Sequence, residues 1–114
     1  MAIELRHQVP EKAFYYHYKH DPLLSVNNSA YEVLSVGYHT EDYCRPEDQA
    51  FVVYRPLYED APVYHAGKLF YLKPLGLWWQ RVEAKDGTTF PRYQKITDAK
   101  IIAWLQAIRD KMYP

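Results

Sequence analysis

Twelve tyrosines are spread over this chain of 114 residues, most of them inside short runs of β-branched and aromatic residues bounded by turn formers. A phenol ring seeks apolar company while its hydroxyl seeks water or a polar partner. A chain that places so many of them in strand-like runs is expected to form a small β domain with a half-exposed aromatic surface. Its length leaves room for one hydrophobic core and none for a second independent domain.

Phe14 to Lys19 reads as a first strand, closed by the turn-prone Asp21-Pro22 step. In a second, Tyr31 to His39, the residues Tyr31, Val33, Ser35 and Gly37 alternate with Glu32, Leu34, Val36 and Tyr38. Both of its faces carry apolar groups, so both need cover, and Gly37 is expected to permit a bulge or bend. Phe51 to Tyr54 is the third strand, and Pro56 makes Leu57 to Tyr58 an edge or bent continuation. Leu69 to Leu72 and Leu77 to Val82 bracket Lys73-Pro74-Leu75-Gly76, read in preference as a turn, which links two further strands or a strand and a short helical turn, with Asp86-Gly87 and Pro91 marking turns before Arg92 to Ile96. The period then changes. Ile101, Trp104, Leu105, Ile108 and Met112 fall on one helical stripe, with Thr97 or Asp98 as N-cap and Arg109 and Lys111 in the last turn.

Fourteen basic residues balance fourteen acidic ones, so no global field draws the chain to nucleic acid or anionic lipid. Locally the charge is uneven, acidic from Glu41 to Asp48 and basic from Lys68 to Lys95. A single cysteine, Cys44, excludes an intramolecular disulfide and a multi-cysteine zinc site, and its acidic surroundings disfavour a reactive thiolate. Met1 to Pro10 carries Glu4, Arg6 and His7 and does not read as a signal peptide, and no run reaches membrane-spanning length. A cytoplasmic protein without membrane contact is expected. His7, His17, His20, His39 and His65 are scattered, and residues three apart on a strand point to opposite faces, so no metal site and no cofactor are expected. Nucleophile-elbow and phosphate-loop motifs are absent.

Five short motifs occur in order: Tyr15-x-His17-Tyr18-Lys19, Tyr31-x-Val33-Leu34-x-Val36-x-x-His39-Thr40-Glu41, Val52-Val53-Tyr54-Arg55-x-Leu57-Tyr58, Leu72-Lys73-Pro74-Leu75 and Pro91-Arg92-Tyr93. Together they resemble the bacterial domain-of-unknown-function family numbered 1653, over roughly Phe14 to Ile96, with Lys73 where arginine is more usual. The resemblance implies a small SH3-like, strongly bent antiparallel barrel over 14–96 and names no activity. The chain departs from that compact pattern by longer loops, an insertion around Ala61 to Lys68 and the C-terminal helix of 97–114, whose Trp104 is expected to seal the barrel.

Candidate site residues follow from that arrangement. The rings of Tyr15, Tyr31, Tyr54, Tyr58, Trp78 and Tyr93, with Lys19, Arg55, Lys73 and Arg92, are expected to supply both the core and an aromatic-basic groove. Such a groove suits a noncatalytic binding module for a peptide or nucleic-acid segment, with neutral net charge favouring peptide. Two other readings stand beside it. His17 or His39 would act as general base in a small enzyme whose basic residues hold an anionic substrate, and an exposed sheet edge or helix face would make a homodimer.

Overall fold

The computed structural model describes residues 5–41, 49–59 and 69–114. The stretch from Asp42 to Asp48 with Cys44, the Ala61 to Lys68 insertion and His65 lie outside the described residues. The fold is mainly β. Strands β1 (Phe14–His17), β2 (Ala30–Tyr38) and β3 (Ala50–Pro56) precede β4 (Tyr71–Pro74), which runs directly into the helical turn α1 (Leu75–Trp78). The hairpin β5 (Arg81–Glu83) and β6 (Thr89–Pro91), the strand β7 (Tyr93–Lys95) and the helix α2 (Ala99–Met112) follow. The main sheet is antiparallel in the order β4-β3-β2-β1-β7, and β5-β6 forms a separate two-stranded ribbon. At the ribbon's turn Gly87 takes φ +87°, a conformation costly for any residue with a Cβ, as the Asp86-Gly87 step predicts.

Register assigns the two faces. Opposed residues on antiparallel strands share a face. The pairs Tyr15↔Tyr31, Val33↔Tyr54, Tyr54↔Tyr71 and His17↔Tyr93 therefore gather the tyrosines on one side. There Tyr15, Val33, Val52, Tyr54, Tyr93, Leu75 and Trp78 pack into one core. The opposite side holds Phe14, Ala30, Leu57 and Ile96 against Leu105, Met112 and Tyr113 at the C-terminus. The two-sided apolar character of β2 is thus answered by α1 on one face and α2 on the other. Its irregularity lies between Val33 and Ser35, not at Gly37, which pairs in register with Phe51. The extra residue inverts the alternation, so Val36 opposite Val52, rather than Ser35, joins Tyr31 and Val33 on the tyrosine face.

Three expectations are corrected. The sheet curls without closing into a barrel: β4 and β7 are its margins and share no ladder. The gap is bridged instead by side chains, because α1 carries Trp78 across to stack on Tyr93, with ring centroids 3.9 Å apart and planes 3° from parallel. The strand expected from Leu77 to Val82 is replaced by α1 and the short β5. Leu75 and Trp78, three apart, are both buried in the same core, which helical spacing allows and a strand would prevent.

Trp104, expected to seal the core, is 56% exposed, whereas Leu105 is fully buried. At 3.6 residues per turn, Ile101, Leu105, Ile108 and Met112 form a narrow stripe, and Trp104 sits about 70° off its centre. The Asp98 carboxylate caps the helix by accepting from the backbone N–H groups of Lys100 and Ile101, at 2.9 and 3.1 Å.

The helix is also tied down by charge. Glu32 on β2 accepts from Arg55 Nε at 2.8 Å and lies 3.4 Å from Arg109 Nε of α2. The Arg55 guanidinium sits 3.9 Å from the centre of the Tyr113 ring, and the Tyr113 hydroxyl donates to the Pro56 carbonyl at 2.7 Å. Truncating Leu105 to Ala should cost about 2–5 kcal/mol, since it empties a fully buried site between sheet and helix. Trp104→Ala should cost under about 1 kcal/mol. Urea unfolding of the two variants orders them, and a larger loss at Trp104 would refute the assigned stripe.

Candidate functional site

His17 closes β1, and its position is set by the backbone on both sides. Its N–H donates to the Ser29 carbonyl at 2.9 Å, and its Nδ1 accepts from the Lys19 N–H at 3.2 Å. With Nδ1 committed as an acceptor, the neutral ring carries its proton on Nε2. The ring stands edge-on to Tyr93 at 5.1 Å. Burial, and then the charges of Lys19, Arg92 and Lys73, lower its pKa to about 4. At neutral pH His17 is an uncharged donor among cations.

Those cations come from different elements. Lys73 opposes Val52 and so faces the tyrosine side, where its ammonium lies 5.8 Å from the Tyr93 ring centre. Burial, followed by the neighbouring Arg92, lowers the Lys73 pKa. Arg92 sits between β6 and β7. Its Nη2 donates to Gln80 Oε1 at 3.3 Å, and its Nε is shielded from solvent with no hydrogen-bond partner among the described residues. Lys19 follows β1 in the turn that closes on His17. Among the described residues no carboxylate pairs with Lys19, Lys73 or Arg92.

Beside this cationic end runs an open groove of about 620 Å³ lined by His17, Lys19, Tyr31, Tyr54, Tyr58 and Tyr71. Its rings meet edge to face: Tyr31 and Tyr54 at 5.4 Å, Tyr54 and Tyr71 at 5.5 Å. Tyr31 and Tyr58 share a hydroxyl hydrogen bond, and the Tyr54 and Tyr93 hydroxyls lie 3.5 Å apart. Burial raises the pKa values of Tyr31, Tyr54 and Tyr93, so these phenols stay neutral across the physiological range. The arrangement offers flat apolar walls, hydroxyls and a cluster of donors. Among the described residues it offers no carboxylate to a cation, and no three His, Cys, Asp or Glu side chains are grouped to hold a metal ion.

Of the residues singled out from the sequence, His17, Lys19, Tyr31, Tyr54 and Tyr58 line the groove, and Lys73 and Arg92 stand close enough for their charges to act on His17. Tyr15 and Trp78 are 4% and 1% exposed and form the floor beneath it, packed edge to face at 5.4 Å. Arg55 is on the opposite face with Glu32 and Tyr113, where it anchors the C-terminus. His39 lies past the far end of β2 from His17, on the order of 30 Å away by strand length, where its N–H donates to the Gln49 carbonyl. The two histidines therefore do not share a pocket. His20 stacks on Tyr16 at 3.6 Å and bonds the Asn28 carbonyl, which places it in the loop's own scaffold. Ser29, Phe70, Tyr71 and Leu72 are groove residues that sequence reading missed, Tyr71 being the one that adds a ring to the aromatic wall. Its signal was available, since Tyr71 and Lys73 alternate on one side of a short strand.

The low His17 pKa has a thermodynamic consequence. The unfolded chain takes up a proton at this imidazole near the ordinary value of 6.5 and the folded chain only near 4. Stability contributed by neutral His17 is therefore present above the unfolded value and is lost as pH falls through that window. NMR titration of the ring should give a midpoint near 4. His17→Gln should flatten the pH dependence of stability between the two values, and an ordinary midpoint would refute the buried, cation-flanked environment.

No curated protein and no solved structure matches the chain. The model of one family does, over residues 13–95, a span that takes in the whole five-stranded sheet, α1 and the ribbon and leaves α2 outside. The chain belongs to the family described as protein of unknown function (DUF1653).

Proposed function

We propose that the protein is a noncatalytic binding module whose groove holds an extended peptide segment carrying an anionic group next to an aromatic or apolar one. The observation that carries this reading is the set of Lys19, Lys73 and Arg92 around neutral His17, without a carboxylate among the described residues, at one end of a tyrosine-lined groove. Half-buried cations such as Lys73 and Arg92 are ordinarily paired within the fold, and their standing without a carboxylate among the described residues, beside apolar walls and the exposed Lys19, suits an anion supplied from outside. The cations are gathered at one point rather than strung along a stripe, and the net charge is zero. Both favour a segment with a local charge over a polyanionic backbone. The groove follows Phe70, Tyr71 and Leu72 into the margin strand β4, a geometry that suits an extended ligand. Binding is favoured over general-base catalysis by His17 itself, whose Nδ1 holds the Lys19 N–H and whose proton affinity is low at neutral pH.

An acidic-aromatic peptide pool should bind in the micromolar range, about 8 kcal/mol, and more weakly as salt is raised. Lys73→Ala should weaken binding most at low salt, whereas Tyr71→Ala should weaken it at low and high salt alike, because ring stacking is not screened. Equilibrium titrations against peptide and oligonucleotide pools decide. Preference for oligonucleotides, or no binding to either pool at any salt, would remove this reading.

A further inference from the structure

Among the described residues the charged groups at the cationic end of the groove are donors alone, drawn from three parts of the fold around the Tyr93 ring, which His17 meets edge-on at 5.1 Å and the Lys73 ammonium approaches to 5.8 Å. His17 Nε2–H and Lys19 come from the end of β1 and its turn, Lys73 from β4, and Arg92 from the link between β6 and β7. The Arg92 Nε is removed from water and has no hydrogen-bond partner among the described residues. A carboxylate is planar and carries one charge, so its acceptor sites, about four, lie in one plane and a single negative charge is shared among all the cations of the cluster. A phosphate monoester carries about −1.5 to −2 charge near neutral pH and three strong acceptor oxygens. Those oxygens are disposed tetrahedrally, so they can meet donors arriving from separate directions. Resting on the anion-binding reading above, we propose that the anionic group the groove takes is a phosphate monoester, with its organic part lying along Tyr31, Tyr54 and Tyr71.

Three features of the site agree with a phosphate ester in particular. Three permanent cations match a dianion better than a single carboxylate. Among the described residues no carboxylate lines the groove to recruit a divalent cation, so the ester would be held by protein donors directly. The tyrosine walls present ring faces and edges at one side of the cluster, where the carbon skeleton of an ester would leave the anion. The groups facing His17 are Lys19, Lys73 and Arg92 with the Tyr18 and Tyr93 rings, and a dianion among them offsets the field that opposes its protonation.

Calorimetry on the full chain with phenyl phosphate and benzoate, which share a ring and differ in the anion, tests this. Phenyl phosphate should bind at least about tenfold more tightly than benzoate. Lys73→Gln and Arg92→Gln, with melting curves unchanged, should each remove most of that preference, and saturation should raise the NMR titration midpoint of His17. Equal or tighter binding of benzoate would overturn the inference while leaving the groove as a carboxylate site. Phenyl phosphate binding that is indifferent to both variants would also overturn it, because the ester would then sit elsewhere. Failure of phenyl phosphate, benzoate and the acidic peptide pool together would remove this inference and the function it rests on. A tyrosine-phosphorylated peptide distinguishes the source of the ester. Tighter binding than phenyl phosphate places the phosphate on a segment, and equal binding keeps the phosphate site but assigns it to a free small ester.

Discussion

The parallel stack of Trp78 on Tyr93 holds the two margins of the sheet together, and the groove depends on it. Without a ladder between β4 and β7, the curl of a five-stranded sheet has no backbone bond to fix it. Trp78 and Tyr93 are 1% and 8% exposed, and each also packs against Tyr54. Burying rings of this size contributes several kcal/mol, and favourable ring geometry adds about 0.5–1.5 kcal/mol per pair. That stack places β7, with Tyr93 opposite His17, next to the end of β4 that carries Lys73. The same contact that shapes the sheet therefore assembles the cationic cluster.

The two faces of the sheet are used differently. On the α2 side the charged groups are mutually satisfied: Glu32 meets both Arg55 and Arg109, and Arg55 also lies over the Tyr113 ring. On the tyrosine side Lys95 pairs with Glu11, but the charged groups around His17 are of one sign and lack such partners among the described residues. Both faces carry arginine, so the difference is not one of residue type. It follows from register: Arg55 opposes Glu32 across the β2–β3 ladder, while Lys73 opposes Val52. An ion pair of the first kind fixes the docking of a helix, whereas the second arrangement keeps its charge available.

How much of this was legible in the sequence varies with the range of the interaction involved. Period-two patterning located β1, β2 and β3, and the change to helical period located α2 and its Asp98 cap. The same alternation already separated Arg55 from Tyr54, because neighbours in one strand cannot share a face, and it joined Tyr71 to Lys73. Trp104 was misplaced because a list of apolar residues at spacings of three and four admits positions at the edge of the stripe as readily as its centre. Closure into a barrel was misread for a different reason. Whether β4 pairs with β7 depends on margins about 20 residues apart in sequence meeting edge to edge, and that is decided by where α1 places Trp78. The bulge near Leu34 inverts the face of half of β2 and leaves no mark that Gly37 did not seem to offer first.

A cluster of like charges in which Lys73 and Arg92 are half-buried raises the free energy of the empty fold, through lost hydration and mutual repulsion. Two features limit that cost. His17 stays neutral, which removes one positive charge from the cluster at physiological pH. The surrounding hydroxyls of Tyr31, Tyr54 and Tyr93 stay protonated, so they solvate as dipoles and add no counter-charge. The rigid aromatic floor of Tyr15, Tyr54 and Trp78 holds the cluster open, because its rings are wedged edge to face and leave little room for collapse. A site built in this way carries its electrostatic strain before any ligand arrives. The relief of that strain on anion binding then adds to affinity without requiring the sheet to rearrange.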